Sequence, residues 1–170
     1  IVWSASGGGT ISQAGLYTAT AAGGPWQATA TSGSIGASAA INVSSRTFES
    51  WMTTMFSAQQ IAAGESALDA DLDCDGLTNL AEYALGGQPY AFTAHPQMVS
   101  DATFISITFQ RPAWIGDVTY HAEVGGSLYS WSGLTLEVLN PGTDPESVRA
   151  TFTLPVPNPA QSFLRLRFEK

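Results

Sequence analysis

Residues 71–82 constrain this chain more than any other segment. Asp71, Asp73 and Asp75 alternate with Leu72 and Cys74, Gly76 follows at once, and Glu82 closes the stretch. Four of the seven Asp residues lie between positions 69 and 75; without a cation they repel one another and loosen the loop. Alternate side chains in such a run can converge on one point, because the intervening ones face away, and Gly76 permits a sharp turn there. Calcium is a hard cation that takes about 6–8 oxygen ligands at about 2.3–2.6 Å. The spacing gives it carboxylates from Asp71, Asp73 and Asp75 at loop positions 1, 3 and 5. Leu77 at position 7 needs only its carbonyl, Asn79 at position 9 binds directly or through water, and Glu82 at position 12 reaches in from the exit helix with both oxygens. An acidic loop capping a helix N-terminus accounts for the charge, but not for the spacing or the glycine. Cys74, at position 4, is not a ligand.

The loop sits between two helical patterns. Phe48, Trp51, Met52, Met55 and Phe56 follow the i, i+3, i+4, i+7, i+8 spacing of one helix face. That spacing predicts a helix over 47–63, with Thr47 as N-cap and Gly64 as stop, and an aromatic stripe that packs a core. Leu77, Leu80, Ala81, Ala84 and Leu85 suggest a second, shorter helix, ended by Gly86-Gly87 and kept from resuming by Pro89.

Outside 47–90 the period drops to two. No side chain in residues 1–45 is charged. Strand-like stretches at 1–5, 15–19, 26–31 and 38–43 stand between turns at Gly7-Gly8-Gly9, Gly23-Gly24-Pro25 and Ser32-Gly33-Ser34. From about residue 91 the pattern returns at 104–109, 118–124, 128–131, 134–139, 148–154 and 163–168, even spacing that suggests a small sandwich. In the last run, alternation puts Leu164, Leu166 and Phe168 inward, and Phe163, Arg165 and Arg167 on the wet side. The expected fold is mainly β: two small antiparallel β-sandwich units joined by a calcium-binding helix–loop–helix. The boundaries fall at 1–46, 47–90 and 91–170.

Charge narrows the partners. Six Lys and Arg against fourteen Asp and Glu leave a net charge of −8, and a single lysine offers no basic face for nucleic acid or an anionic membrane surface. No apolar run approaches the ~18 residues of a spanning helix. Charged residues are 12% of the chain, about half the usual ~25%; Ala, Gly, Ser and Thr fill the gap, as in β-rich extracellular modules. One cysteine allows no internal disulfide. The chain opens on Ile1, which reads as a mature or excised fragment, so a missing leader does not argue against secretion. It carries no Gly-x-Ser-x-Gly elbow, no His-Glu-x-x-His and no phosphate-cradling loop. His95 and His121 stand apart in a loop and mid-strand. The chain is therefore expected not to be an enzyme. Asn42-Val43-Ser44 matches a glycosylation sequon.

Three resemblances follow from these residues. Trp3-Ser4-Ala5-Ser6-Gly7-Gly8-Gly9-Thr10-Ile11-Ser12, Gly15-Leu16-Tyr17-Thr18-Ala19 and Ala28-Thr29-Ala30-Thr31-Ser32 resemble the second half of a bacterial immunoglobulin-like domain, similar to the stacked spacers of invasin-type adhesins. Phe48-x-x-Trp51 through Asp71 to Tyr83-Ala84-Leu85-Gly86-Gly87-Gln88-Pro89 resembles a calcium module near the C-termini of large secreted bacterial proteins. Its loop is similar to EF-hand, thrombospondin type 3 and dockerin loops, which implies Asp71, Asp73, Asp75, Asn79 and Glu82 as ligands, with the Leu77 carbonyl. Residues 104–170, with Thr119-Tyr120-x-x-Glu123-Val124, Trp131 and Phe163-Leu164-Arg165-Leu166, look like the β-sandwich that accompanies that module.

The expected function is a non-catalytic, calcium-stabilised structural or adhesion module at the C-terminal end of a bacterial secreted or cell-surface protein. Its partners would be calcium, other copies of itself or neighbouring domains. A second reading is a self-assembling extracellular filament or surface-layer subunit completed by strand donation. A third is a polysaccharide-binding accessory module of a secreted enzyme, with Trp26, Trp114 and Trp131 as candidate platforms.

Overall fold

In the computed structural model, which describes residues 1–155 and 161–170, the charge-free N-terminal stretch forms five strands. They are β1 (Val2–Ala5), β2 (Gly9–Ile11), β3 (Tyr17–Ala19), β4 (Gly23–Ser32) and β5 (Ile35–Val43). Strands β1, β4 and β5 make one antiparallel sheet in that order, and β2 and β3 a separate hairpin. The register aligns Trp3 with Ala30 and Ala37, Ala5 with Ala28 and Ala39, and Trp26 with Ile41. Period-two alternation therefore gathers Trp, Ala and Ile on one face and Ser, Thr and Gln on the other. The β2–β3 side of the lobe covers the two tryptophans; Trp26 lies so close over Gly8, where φ is +67°, that no side chain fits there. Two expectations fail locally. Gly9 opens β2 instead of staying in a turn, and Gly23-Gly24-Pro25 belongs to β4, where the register shifts against β5. That irregularity absorbs residues which otherwise read as a turn.

The middle segment begins with α1 (Phe48–Met55), capped by Thr47, whose hydroxyl accepts from the Ser50 amide at 3.2 Å. The single helix expected over 47–63 is broken. Phe56 is extended (φ −120°, ψ 140°), and Ser57 starts a new helix, α2 (Ala58–Ala62). Ser57 and Gln60 form a reciprocal capping box, which competes locally with helix continuation. The break turns Phe56 into the core. Its ring lies 5.8 Å from Trp51 and 5.7 Å from Tyr90, and Phe48, Trp51 and Tyr83 lie 5.4–5.7 Å from one another. Edge and tilted contacts of this kind each contribute about 0.5–1.5 kcal/mol beyond area burial. Tyr83 belongs to α3 (Asn79–Leu85), which ends at the left-handed Gly86 as its sequence implies. The Phe48–Trp51–Phe56–Tyr83 cluster also gathers Met52, Met55, Leu72 and Leu80, so the stripe packs a core as expected.

Beyond it come β6 (Gln97–Ser100), β7 (Phe104–Arg111), β8 (Thr119–Ser127), β9 (Ser130–Leu134), β10 (Glu137–Val138), β11 (Glu146–Thr153) and β12 (Phe163–Glu169). They form two antiparallel sheets, β10-β11-β7-β6 and β12-β8-β9. Ile107 and Ala150 of the first share an apolar cluster with Ala122, Leu134, Leu164 and Leu166 of the second. The 128–131 run is corrected: Leu128 and Tyr129 form a turn and the strand starts at Ser130. The 134–139 run is split: Leu134 ends β9, and after it only Glu137 and Val138 pair, as β10; β6 lies where no strand was expected. In β12 the alternation holds: Leu164 and Leu166 join the cluster, while Arg165 bonds Glu123 at 2.7 Å.

Asp117 joins the helical segment to these strands. Its carboxylate accepts from the Phe48 amide (2.9 Å) and the Tyr83 hydroxyl (2.7 Å), and Tyr120 donates to the Ala84 carbonyl at 2.7 Å. At the junction with the N-terminal lobe, Arg46 and Trp114 pair through backbone, and the Trp114 indole donates to the Thr20 carbonyl.

Candidate metal centre

The carboxylates of Asp71, Asp73 and Asp75 converge. One oxygen from each lies within 4.8 Å of the others, and all three side chains are half-buried. The loop folds on its own backbone to achieve this. The Gly76 amide donates to Asp71 Oδ2 (3.0 Å), the Asp75 amide to Asp73 Oδ1 (3.1 Å), and the Leu77 amide to Asp75 Oδ1 (2.8 Å). Gly76, at φ +91°, makes the turn that the sequence assigned to it. Cys74 holds a left-handed φ of +61°, an unusual conformation for a residue with a Cβ, and is exposed.

Glu82 supplies the decisive detail. It sits in the first turn of α3 and is 1% exposed, yet neither carboxylate oxygen has a hydrogen-bond partner among the described residues. Asp71 Oδ1 and Asp73 Oδ2 are also buried and unpartnered. Burial, and then the charges of Asp73, Asp75 and Asp71, push Glu82 from 4.5 up to about 8. Asp75 moves the other way. The Thr93 amide holds its carboxyl below the ordinary value against the opposing effect of burial, helped by the Leu77 amide and His95. Buried carboxylate oxygens without donors are costly, and an oxygen-only set of this kind fits a hard metal ion. The Asp71, Asp73 and Asp75 group could hold one.

Asn79 and Leu77 are the remaining expected ligands. Asn79 is fully buried, and its amide nitrogen donates to the carbonyls of Glu65 (2.8 Å) and Ala67 (2.7 Å), while its Oδ1 has no partner. It ties the 65–70 turn to the start of α3, a link reinforced by the bond from its own amide to Ala70. Leu77 is half-buried beside the loop. On the entry side the loop is preceded by turns from Ala63 to Ala70, not by a long helix. Sequence reasoning missed the outer brace: the Thr93 amide donates to Asp75 Oδ2 at 2.8 Å, and His95 Nε2 to the Asp75 carbonyl at 2.9 Å. The one available signal was His95-Pro96 shortly after the loop, and it carries no spacing rule.

The three tryptophans offered as carbohydrate platforms are engaged within the protein. Trp26 lies over Gly7 and Gly8, Trp114 bonds Thr20, and Trp131 lies 4.0 Å under the Arg165 guanidinium while donating to the Leu128 carbonyl. Among the described residues, no helix is long and apolar enough to cross a membrane. No family model matches the chain, and no curated protein or solved structure is significantly similar to it.

Proposed function

We propose that the chain is a non-catalytic extracellular module whose fold is locked by calcium at Asp71, Asp73, Asp75 and Glu82. The observation that carries this reading is the buried, partnerless Glu82 carboxylate placed beside three converging aspartates. Four buried oxygens with unmet acceptor capacity, from Asp71, Asp73 and Glu82, need a cation more than they need hydrogen-bond donors. The donors are all oxygen, which favours calcium over zinc or copper. The Leu77 carbonyl completes the set, and the Asn79 amide serves chiefly to hold the loop's exit. The finer architecture we propose is two β-sandwich units with the calcium helix–loop–helix between them, setting their angle. The low charge content and the three sequence resemblances support a bacterial secreted or surface protein, where millimolar calcium fills even a weak site.

Calorimetric titration with calcium, and melting in calcium and in chelator, test the reading. Calcium at 100 times its dissociation constant adds about 2.7 kcal/mol of stability, a large part of a small domain's total. The expected result is heat of binding with a stoichiometry near one and a clear rise in melting temperature. Absence of binding, with the same melting temperature in chelator, would overturn it.

A further inference from the structure

We infer that two copies of this chain pair edge to edge through β5, antiparallel, to make one continuous six-stranded sheet β1-β4-β5-β5-β4-β1. The inference is independent of the calcium reading and rests on the N-terminal lobe. Strand β5 hydrogen-bonds only to β4 among the described residues, so its other edge presents unpaired backbone amides and carbonyls along nine residues. Edges of that length are normally blocked by a charge, a proline, a bulge or a short strand. From Ile35 to Val43 there is no charge and no proline, and the sole register shift of the β4–β5 pair lies at its far end, between Gly23 and Trp26.

The molecule's other edges are protected or short. β12 carries Arg165, Arg167 and Glu169, β10 is two residues with Glu137, and β1 and β6 are four residues each. β9 has five, with irregular register against β8. The lobe also lacks a core. No residue before Phe48 is buried, and on the apolar face Ile35 (78% exposed), Ala37 and Ala39 stand uncovered. A three-stranded sheet is near the smallest that is stable in water, so strands added at the β5 edge increase its stability.

Charge favours a second copy at that edge. All twenty charged side chains lie at or beyond Arg46 and sum to −8, while residues 1–45 carry none. Two copies approaching through residues 46–170 set like charges against each other, whereas the N-terminal lobe presents none; within that lobe β5 is the long open edge, nine residues against four for β1. Antiparallel pairing of identical strands is isologous, so the assembly closes at two.

The test is solution mass by light scattering across a range of protein concentrations, for the native sequence and for Ala37→Lys, Ala39→Lys and Val2→Lys. The three sites are exposed strand positions, and far-ultraviolet circular dichroism checks that each variant stays folded. Twice the chain mass is expected for the native sequence and for Val2→Lys, and a single-chain mass for both β5 variants: full overlap of Ile35–Val43 sets residue 39 against itself and brings two lysines together, and Ala37→Lys puts a charge opposite Ile41 on each side of the pair. A native monomer at every concentration would overturn the inference. So would a dimer that survives Ala39→Lys, one that Val2→Lys alone disrupts, or masses that grow without limit.

Discussion

Glu82 and Cys74 show how much of this loop's energetics rests in single residues. On the proposed calcium reading, Glu82→Gln removes a ligand charge and should lower the melting temperature in calcium. In chelator the same substitution raises it, because it relieves a carboxylate buried among three others. Melting in both buffers reads the change of sign. The pH response follows from the same group. Its folded-state pKa of about 8 lies above the ordinary 4.5, so the folded protein binds more protons in between, and stability in chelator falls as pH rises through that window. The favourable contribution is whole below about 4.5 and gone above about 8, as a pH series of chemical denaturations in chelator would record. Cys74 adds a third expectation. A left-handed backbone costs a non-glycine residue about 1–2 kcal/mol, partly offset by the entropy glycine loses on folding. Cys74→Gly should therefore raise stability by up to about 1 kcal/mol without weakening calcium binding.

Elements obey local signals until a contact outbids them. The helix face beginning at Phe48 was legible from its spacing, as were the Thr47 cap and the Gly86 stop. The break at Phe56 was also written in the chain, as the Ser57–Gln60 capping box, but a continuous apolar period masked it. Removing the cap with Ser57→Ala should cost about 1 kcal/mol, and Trp51→Ala, which empties the centre of the aromatic cluster, about 3–5 kcal/mol; urea denaturation would separate the two. In β12 the alternation was readable because one face packs and the other pairs its arginines with Glu123. Strand β6 was not, since four exposed residues owe their structure to β7 and not to any pattern of their own.

For the whole molecule, hydrogen bonds tie the helical segment to the C-terminal strands, whereas no residue of the N-terminal lobe is buried. Asp117 holds α1 and α3 to the approach of β8 through Phe48 and Tyr83. A chain starting at residue 46 should therefore melt cooperatively and bind calcium, while residues 1–45 alone should show no stable β signal in circular dichroism. Folding of the short piece as a monomer would mean that its sheet needs neither the remainder nor a second copy, and folding only as a dimer that it needs the second copy alone.

The sequence by itself determined the acidic loop, with three aspartates that converge, the glycine that turns it and the glutamate that follows on α3, because the spacing of side chains within twelve residues is a local property. It determined the mainly β character too, through period-two runs that tolerate any strand order. Tertiary structure alone decided that Thr93 and His95 brace Asp75 from about twenty residues away, and that the Asn79 amide faces the 65–70 turn. It also decided that Glu82 is sealed from water and that β5 is left open. Those outcomes depend on which segments close over which. Loop closure is governed by chain entropy and packing across the molecule, and no run of neighbouring residues records it.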